Sequence, residues 1–368
     1  MALELSPEEL GFDPERLERA KDVLVRHVKR ETTPGAVGVV VRGGAAAAKW
    51  AVGRHSYDPF SPEVRVEDLY DLASLTKVVA TTAICLLLEE AGRLDLDEPV
   101  AERVKEFRGA GREKVTARQL LAHCSGLPAH AELYRVCFSP PAVQEAVCKI
   151  PLAYEPGTQD VYSDIGFILL GMTLERVSGH RLGRLARHYV FDPLGMSDTT
   201  YRPGRELHYR IPPTEYDSTV RGRLIHGEVH DENAWAMRGV APHAGLFGPA
   251  EDLTRFLQTF LNGGRQEGRR VFPKDKVDAY TARANLVPGS TRALGWDTVS
   301  EEGSMTGKHF SPKSYGSLGF TGTSIWADPK RDLGVVLLTN RIHPSRKNMG
   351  IRRLRPAFHN AIAEALVT

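Results

Sequence analysis

The run Val78-Val-Ala-Thr-Thr-Ala-Ile-Cys-Leu-Leu-Leu88 is apolar on nearly every side. A helix that is apolar all round belongs inside a protein, not on its surface. Ala91-Gly92 supplies its stop. The chain must therefore be built around one buried helix. Ser74 stands at the start of that helix, after Asp71-Leu-Ala. Ser74 and Lys77 are three residues apart, so they share one face. A serine hydroxyl needs a base before it acts as a nucleophile. A buried lysine can be that base, because lost hydration disfavours its ammonium form. A helix start adds positive potential and free N–H groups at the same place. A capped helix with a surface lysine would show the same four residues. The apolar flanks favour the chemical reading, since Lys77 enters the buried run.

At 368 residues the chain can bury a large core, as one large domain or two intertwined ones. A net charge of +2 gives no reason to expect nucleic acid or an anionic membrane as partner. No run of about 18 apolar residues is present, so no membrane span is expected. The opening Met1-Ala-Leu-Glu-Leu-Ser-Pro-Glu-Glu lacks the basic and apolar parts of a secretory signal, and the expected compartment is the cytoplasm. Cys85, Cys124, Cys137 and Cys148 show neither C-x-x-C nor zinc spacing, so free thiols are expected. Nothing in the chain fixes an oligomeric state.

Asp13-Pro14-Glu15 reads as a helix start. Pro34 to Arg42 and Ala46 to Val52 read as strands about a Gly43-Gly44 turn. Helical patterns then dominate from Ser74 to about Arg238. Thr116 to His123 reads as a short helix, and Ile165 to Val177 as a core helix stopped at Ser178-Gly179. Tyr201 to Trp235 has little periodicity, and a loop that long usually lines a functional rim. Gly322 to Ala327 and Leu333 to Thr339 read as a second hairpin, with a last helix expected after Pro356. The predicted fold is α+β. An antiparallel sheet is built from both termini (residues 1–73 and 250–368), and a mainly helical region (74–249) is inserted between them.

A second group of chemistry-bearing residues lies in Glu155-Pro-Gly-Thr-Gln-Asp-Val-Tyr162-Ser163-Asp164-Ile-Gly166. Tyr162 to Asp164 sit on a short loop before a buried helix. A tyrosine there can share a proton with a lysine and a serine, because positive neighbours favour phenolate. Ser163 or Asp164 would also serve as a plain helix cap.

Ser74-x-x-Lys77, Leu121-Ala-His-Cys-Ser-Gly-Leu-Pro128, Glu155-Pro-Gly157, Tyr162-Ser-Asp164 and Gly319-Phe-Thr-Gly-Thr-Ser-Ile-Trp-Ala-Asp-Pro329 occur in one order. In that order the chain resembles the serine β-lactamase and penicillin-binding protein superfamily, class C-like, with its related esterases and muramoyl-peptide amidases. The likeness runs from about Glu67 to Arg341. It implies Ser74 as acylated nucleophile, Lys77 as base partner and Tyr162 as proton relay. It implies an oxyanion hole of the Ser74 and Phe320 backbone N–H groups. Asp164 falls where many relatives have asparagine. Its carboxylate can pair with Lys77 and raise the lysine pKa.

One motif departs from the family pattern. Lys-Thr-Gly or His-Thr-Gly is replaced by Ser317-Leu318-Gly319, so the cation that helps hold a substrate carboxylate is missing. Arg341, after the last strand, is the candidate replacement if its side chain turns inward. His230 belongs to His230-Asp-Glu-Asn-Ala234, which resembles a family rim loop; with Asp164, Ser317, Gly319 and Arg341 it completes the substrate-binding set. His226-Gly-Glu228-Val-His230 alternates polar side chains, which on a strand would share a face; no metal is expected to need them. His243 reads equally as structural or substrate-contacting. No cofactor is implied.

The expected activity is serine hydrolysis through an acyl-enzyme on a small ester or amide. Esterase-like action ranks first, a cytoplasmic muramoyl-peptide amidase or D-amino-acid peptidase second, and β-lactamase third. The rival from another class is a catalytically weak binding or sensor protein of the same fold.

Overall fold

The computed structural model describes residues 5–367. Helix α1 (Pro14–Lys29) opens with Asp13 accepting the Arg16 N–H and Pro14 in the first turn. Strands β1 (Gly35–Arg42) and β2 (Ala45–Gly53) form the expected hairpin. Gly43 and Gly44 close it at φ 59° and 79°, a backbone that glycine takes without strain. A π-helical turn, Lys77–Thr82, leads into α2 (Ala83–Glu90). Helix α3 (Ala117–Leu121) starts at a Thr116–Gln119 capping box. Helix α4 (Asp164–Ser178) is capped by Ser163 and ends at Gly179. Beyond it come α5 (Ala250–Leu261), β3 (Asp297–Thr298), β4 (Tyr315–Leu318), β5 (Ser324–Asp328), β6 (Leu333–Thr339) and α6 (Ile351–Glu364).

These six strands make one antiparallel sheet in the order β3-β4-β5-β6-β1-β2. The two ends of the chain meet at β1–β6, where Ala36 faces Thr339 and Arg42 faces Leu333. The fold is thus α+β, with a sheet drawn from both termini. Strand β1 is buried on both faces, which is why it reads as a continuous apolar run. Ala36 and Val40 point to the layer of α1 and α6; Val37, Val39 and Val41 point to the other core. Gly38 is needed on the first face, because a Cβ would stand 2.7 Å from the Phe358 ring and 3.1 Å from Leu24. Val37 and Val336 of the sheet share a continuous core with Ile84, Leu86, Ile165 and Phe167 of the helices. That shared core holds the site's two sides in register.

Helix α6 corrects the expectation that the last helix follows Pro356. It begins at Ile351, and Pro356 lies inside it. Ile351, Leu354, Phe358 and Ile362 recur at helical spacing and are all buried. That burial outweighs the proline penalty of about 3 kcal/mol. The segment between Tyr201 and Trp235 carries only a 3-10 turn (Arg205–Arg210), a two-residue-stranded hairpin and the first residues of a short helix. The four cysteines are buried free thiols. No described helix is long and apolar enough to cross a membrane.

Candidate active site

Ser74 lies in the turn just before the helix, and Lys77 is the first residue of the π-helical turn. Ala73, directly before the serine, sits at φ 46°. A left-handed alanine stores strain of about 1–2 kcal/mol, which the surroundings must hold. Asp71 holds it from below. One of its oxygens accepts the Ala73 N–H at 2.9 Å and the other accepts the His230 N–H at 2.7 Å.

Lys77 is 1% exposed and its ammonium makes three contacts: Ser74 Oγ at 3.0 Å, Asp164 Oδ1 at 2.6 Å and the His243 carbonyl at 3.2 Å. An ammonium has three protons, so all are placed. Burial pulls the Lys77 pKa down, but Asp164 and then Tyr162 outweigh this and lift it above the ordinary lysine value. Lys77 is therefore charged at rest and donates to Ser74. Tyr162 is a titratable neighbour, and both Lys77 and Ser74 favour the charged form of its hydroxyl. Lost hydration raises the Tyr162 pKa although the residue is 36% exposed to the cleft, and the Lys77 charge works against that rise.

The Tyr162 ring is bounded on several sides. Lys77 Nζ stands 4.7 Å from its centroid and the Arg292 guanidinium 5.3 Å. The His123 ring is 4.4 Å away. His123 Nδ1 accepts the Ser163 N–H at 3.0 Å, and burial, then Arg292 and Lys77, hold its pKa well below the usual histidine value. Ser163 caps α4, the plain role read for this loop, while Asp164 pairs with Lys77.

Across the cleft, the backbone N–H groups of Ser74 and Phe320 donate to no acceptor among the described residues. Two side chains bind the Phe320 turn to the segment before Ser74. Thr321 Oγ1 donates to the Asp71 carbonyl at 2.7 Å, and Thr323 Oγ1 to the Leu72 carbonyl at 3.1 Å. Gly319 permits this approach, since a Cβ there would stand 2.7 Å from the Leu72 carbonyl oxygen and closer still to Thr323. Buried Arg355 donates to the Gly319 and Thr323 carbonyls from α6.

Ser317 is on β4, opposite Ile325. Arg341 is 4% exposed, and its guanidinium donates to the carbonyls of Phe320, Arg346 and Asn348. It lies 4.6 Å from the Phe320 ring centre. The inward turn expected of it occurs, but it is spent on backbone carbonyls. His230 is buried under Phe320, stacked at 5.7 Å, with Nε2 2.9 Å from Glu215. His226 bonds instead to the His208 and Ile211 carbonyls, so the alternating stretch does not share a strand face. Among the described residues no group of three His, Cys, Asp or Glu is placed to hold a metal.

Four contributors were not read from the sequence: Asp71, His123, Asp231 and Arg292. Asp231 caps the short helix Glu232–Ala236 and accepts from His243, fixing the carbonyl that meets Lys77. Asp71, His123 and Asp231 each stood inside a stretch already singled out, before Ser74, in the Leu121 to Pro128 loop and in His230 to Ala234; Arg292 had no such signal.

Sheet, helix start and tyrosine loop together define a class of serine hydrolase. The family model described as Beta-lactamase matches residues 20–357, and the chain belongs to that family. It is 32% identical to the N-acetylmuramyl-L-alanine amidase of Bacillus subtilis (strain 168), across 92% of this chain and 84% of that one. It is 31% identical to the putative D-alanyl-D-alanine carboxypeptidase of Escherichia coli O157:H7, across 92% and 86%. Among solved structures it is similar to EstCE1, a hydrolase with promiscuous acyltransferase activity, at a TM-score of 0.77 and 20% identity, covering 95% and 99% of the two chains. It is also similar to a penicillin-binding protein homolog from Caulobacter crescentus, at 0.74 and 21%, covering 95% and 99%. At these identities the structural likeness is one of fold.

Proposed function

We propose that the chain is a serine amidase that opens the bond between a muramyl acyl group and the L-alanine of a peptide. The observation that carries this is the neutral Ser317, with Arg341 already committed to three carbonyls. A carboxypeptidase substrate bears a free carboxylate next to the scissile bond. A muramyl-dipeptide bond has an amide there instead, and needs no adjacent cation. The relative named as an amidase supports the same choice. Ester cleavage is the second reading, also favoured by Ser317, because an ester asks less of the same machinery than an amide.

In this reading Ser74 Oγ attacks the carbonyl carbon as its proton passes to Tyr162 in the phenolate form. Lys77 holds Oγ in place and Asp164 keeps Lys77 charged. The carbonyl electrons move onto oxygen, which the Ser74 and Phe320 N–H groups stabilise. The carbon–nitrogen bond then breaks and Tyr162 returns the proton to the departing amine. Water repeats the sequence on the acyl-enzyme, and the proton returns to Ser74.

The test compares kcat/KM for muramyl dipeptide, a D-alanyl-D-alanine peptide and nitrophenyl butyrate. Muramyl dipeptide should exceed the D-alanyl peptide by about tenfold or more, the scale of one lost charged hydrogen bond. Faster D-alanine release would overturn the proposal, and hydrolysis of the ester alone would put the esterase reading in its place.

A further inference from the structure

Arg292 lies between two parts of the site. Its Nε is 3.3 Å from Asp160 Oδ1, two residues before Tyr162, and its Nη1 bonds to Asp297 of β3. Asp297 is paired with Gly316, the residue before Ser317. Ser290 Oγ donates to the other Asp160 oxygen at 2.6 Å. The loop is seated further by the Gly295 N–H on the Leu121 carbonyl at 2.9 Å. A Cβ on Gly295 would collide with Thr82 Oγ1, so the loop lies flat against the π-helical turn. Arg292 is thus a brace from the tyrosine loop to the sheet edge, with its guanidinium over the Tyr162 ring.

We propose that Arg292 is a positioning residue for Tyr162: it supplies, from the β3 side, the positive charge that Ser317 does not. The inference rests on the acyl-enzyme reading of Ser74 and Tyr162, though not on the choice of amide substrate. The groups facing the phenol are Lys77 and Asp164 from the helices, His123 from the loop after α3, Asp160 from its own loop, and Arg292 with Asp297 from the sheet side. Cations on a ring face and near a phenol favour phenolate over phenol. Removing Arg292 takes away one such charge and leaves Asp160 and Asp297 without their partner. Both changes act against the phenolate.

The experiment is the rate of Ser74 labelling by a fluorophosphonate probe against pH, read by intact mass, for wild type, Arg292→Gln, Arg292→Lys and Tyr162→Phe. Thermal unfolding of each variant checks its fold. Labelling should rise with pH as the phenolate forms. Arg292→Gln should move that limb up by about one unit and slow labelling near neutrality by about tenfold. Arg292→Lys keeps the charge and should move the limb less than half as far. A limb that disappears in Tyr162→Phe but ignores Arg292→Gln overturns the Arg292 proposal alone. A shift as large in Arg292→Lys as in Arg292→Gln also overturns it. A limb unchanged in Tyr162→Phe would bring down the role of the tyrosine as well.

Discussion

Two buried charge clusters flank the cleft, and they differ in what they leave free. Around Lys77, a charged amine meets a carboxylate, a carbonyl and the Ser74 hydroxyl. Around Glu215, Arg346 and His230 meet that carboxylate, Arg346 also reaches Glu232, and His230 supports Phe320. The second cluster satisfies itself and fixes a backbone turn. The first spends one of its bonds on an atom that can react. Charge burial alone does not mark a catalytic centre; in the proposed mechanism it is the buried charge with one partner that can leave that does.

That contrast is tested most sharply at Ser74. Ser74→Ala should cut turnover by at least ~10⁴-fold while the fold stays intact. Probe adducts on any other residue, seen by mass spectrometry, would remove Ser74 from its role. Next come Lys77→Ala and Tyr162→Phe, each expected to lower kcat by at least ~10²-fold. Activity retained in Lys77→Ala would mean the first cluster is as structural as the second.

The second cluster should respond in stability instead. Glu215→Gln should destabilise by about 2–3 kcal/mol, since it weakens bonds between buried charged groups, with kcat changed far less. Denaturant melts beside steady-state assays check this. The same residue predicts a pH dependence. Burial alone would raise the Glu215 pKa, but bonds from His230 and Arg346 outweigh it and hold it at about 2. A depressed carboxylate pKa gives stability that is full above the unfolded value of about 4.3 and lost as pH falls toward 2. Wild type should therefore lose stability between about pH 4.5 and 2 more steeply than Glu215→Gln. Parallel curves would show that the cluster contributes nothing through this charge. The smallest effect belongs to Ser317→Lys, which should raise D-alanyl-peptide turnover relative to neutral esters by roughly tenfold.

The fold and the chain of motifs were legible because they rest on local rules. The continuous apolar run of β1, the Gly43-Gly44 turn, the Asp13 and Thr116 caps and the Ser74–Lys77 spacing each need only neighbouring residues. Pro356 misled because tertiary burial of Ile351 and Leu354 outweighed a local penalty. The roles of Arg292 and of Asp231, which stood in a quoted motif, were out of reach for a different reason. Each acts through a partner far along the chain, Asp160 and Tyr162 for one, and His243, whose carbonyl meets Lys77, for the other. No spacing encodes such a pair. Arg341 was read as a candidate cation for a substrate carboxylate, but its three carbonyl partners depend on a loop conformation that the sequence does not show.

Gly319 has a consequence for anyone reshaping this cleft. Because the Gly319 main chain packs against the Leu72 carbonyl there, with Thr321 and Thr323 clamping the same two segments, the gap between the Ser74 and Phe320 N–H groups rests on close backbone approach. Directed evolution can repaint the wall at Ser317 and change what enters. It cannot enlarge residue 319 without strain, since even alanine there would have to push two segments of the protein apart. Substrate range in this scaffold should therefore drift readily, while the geometry offered to the carbonyl oxygen stays constant.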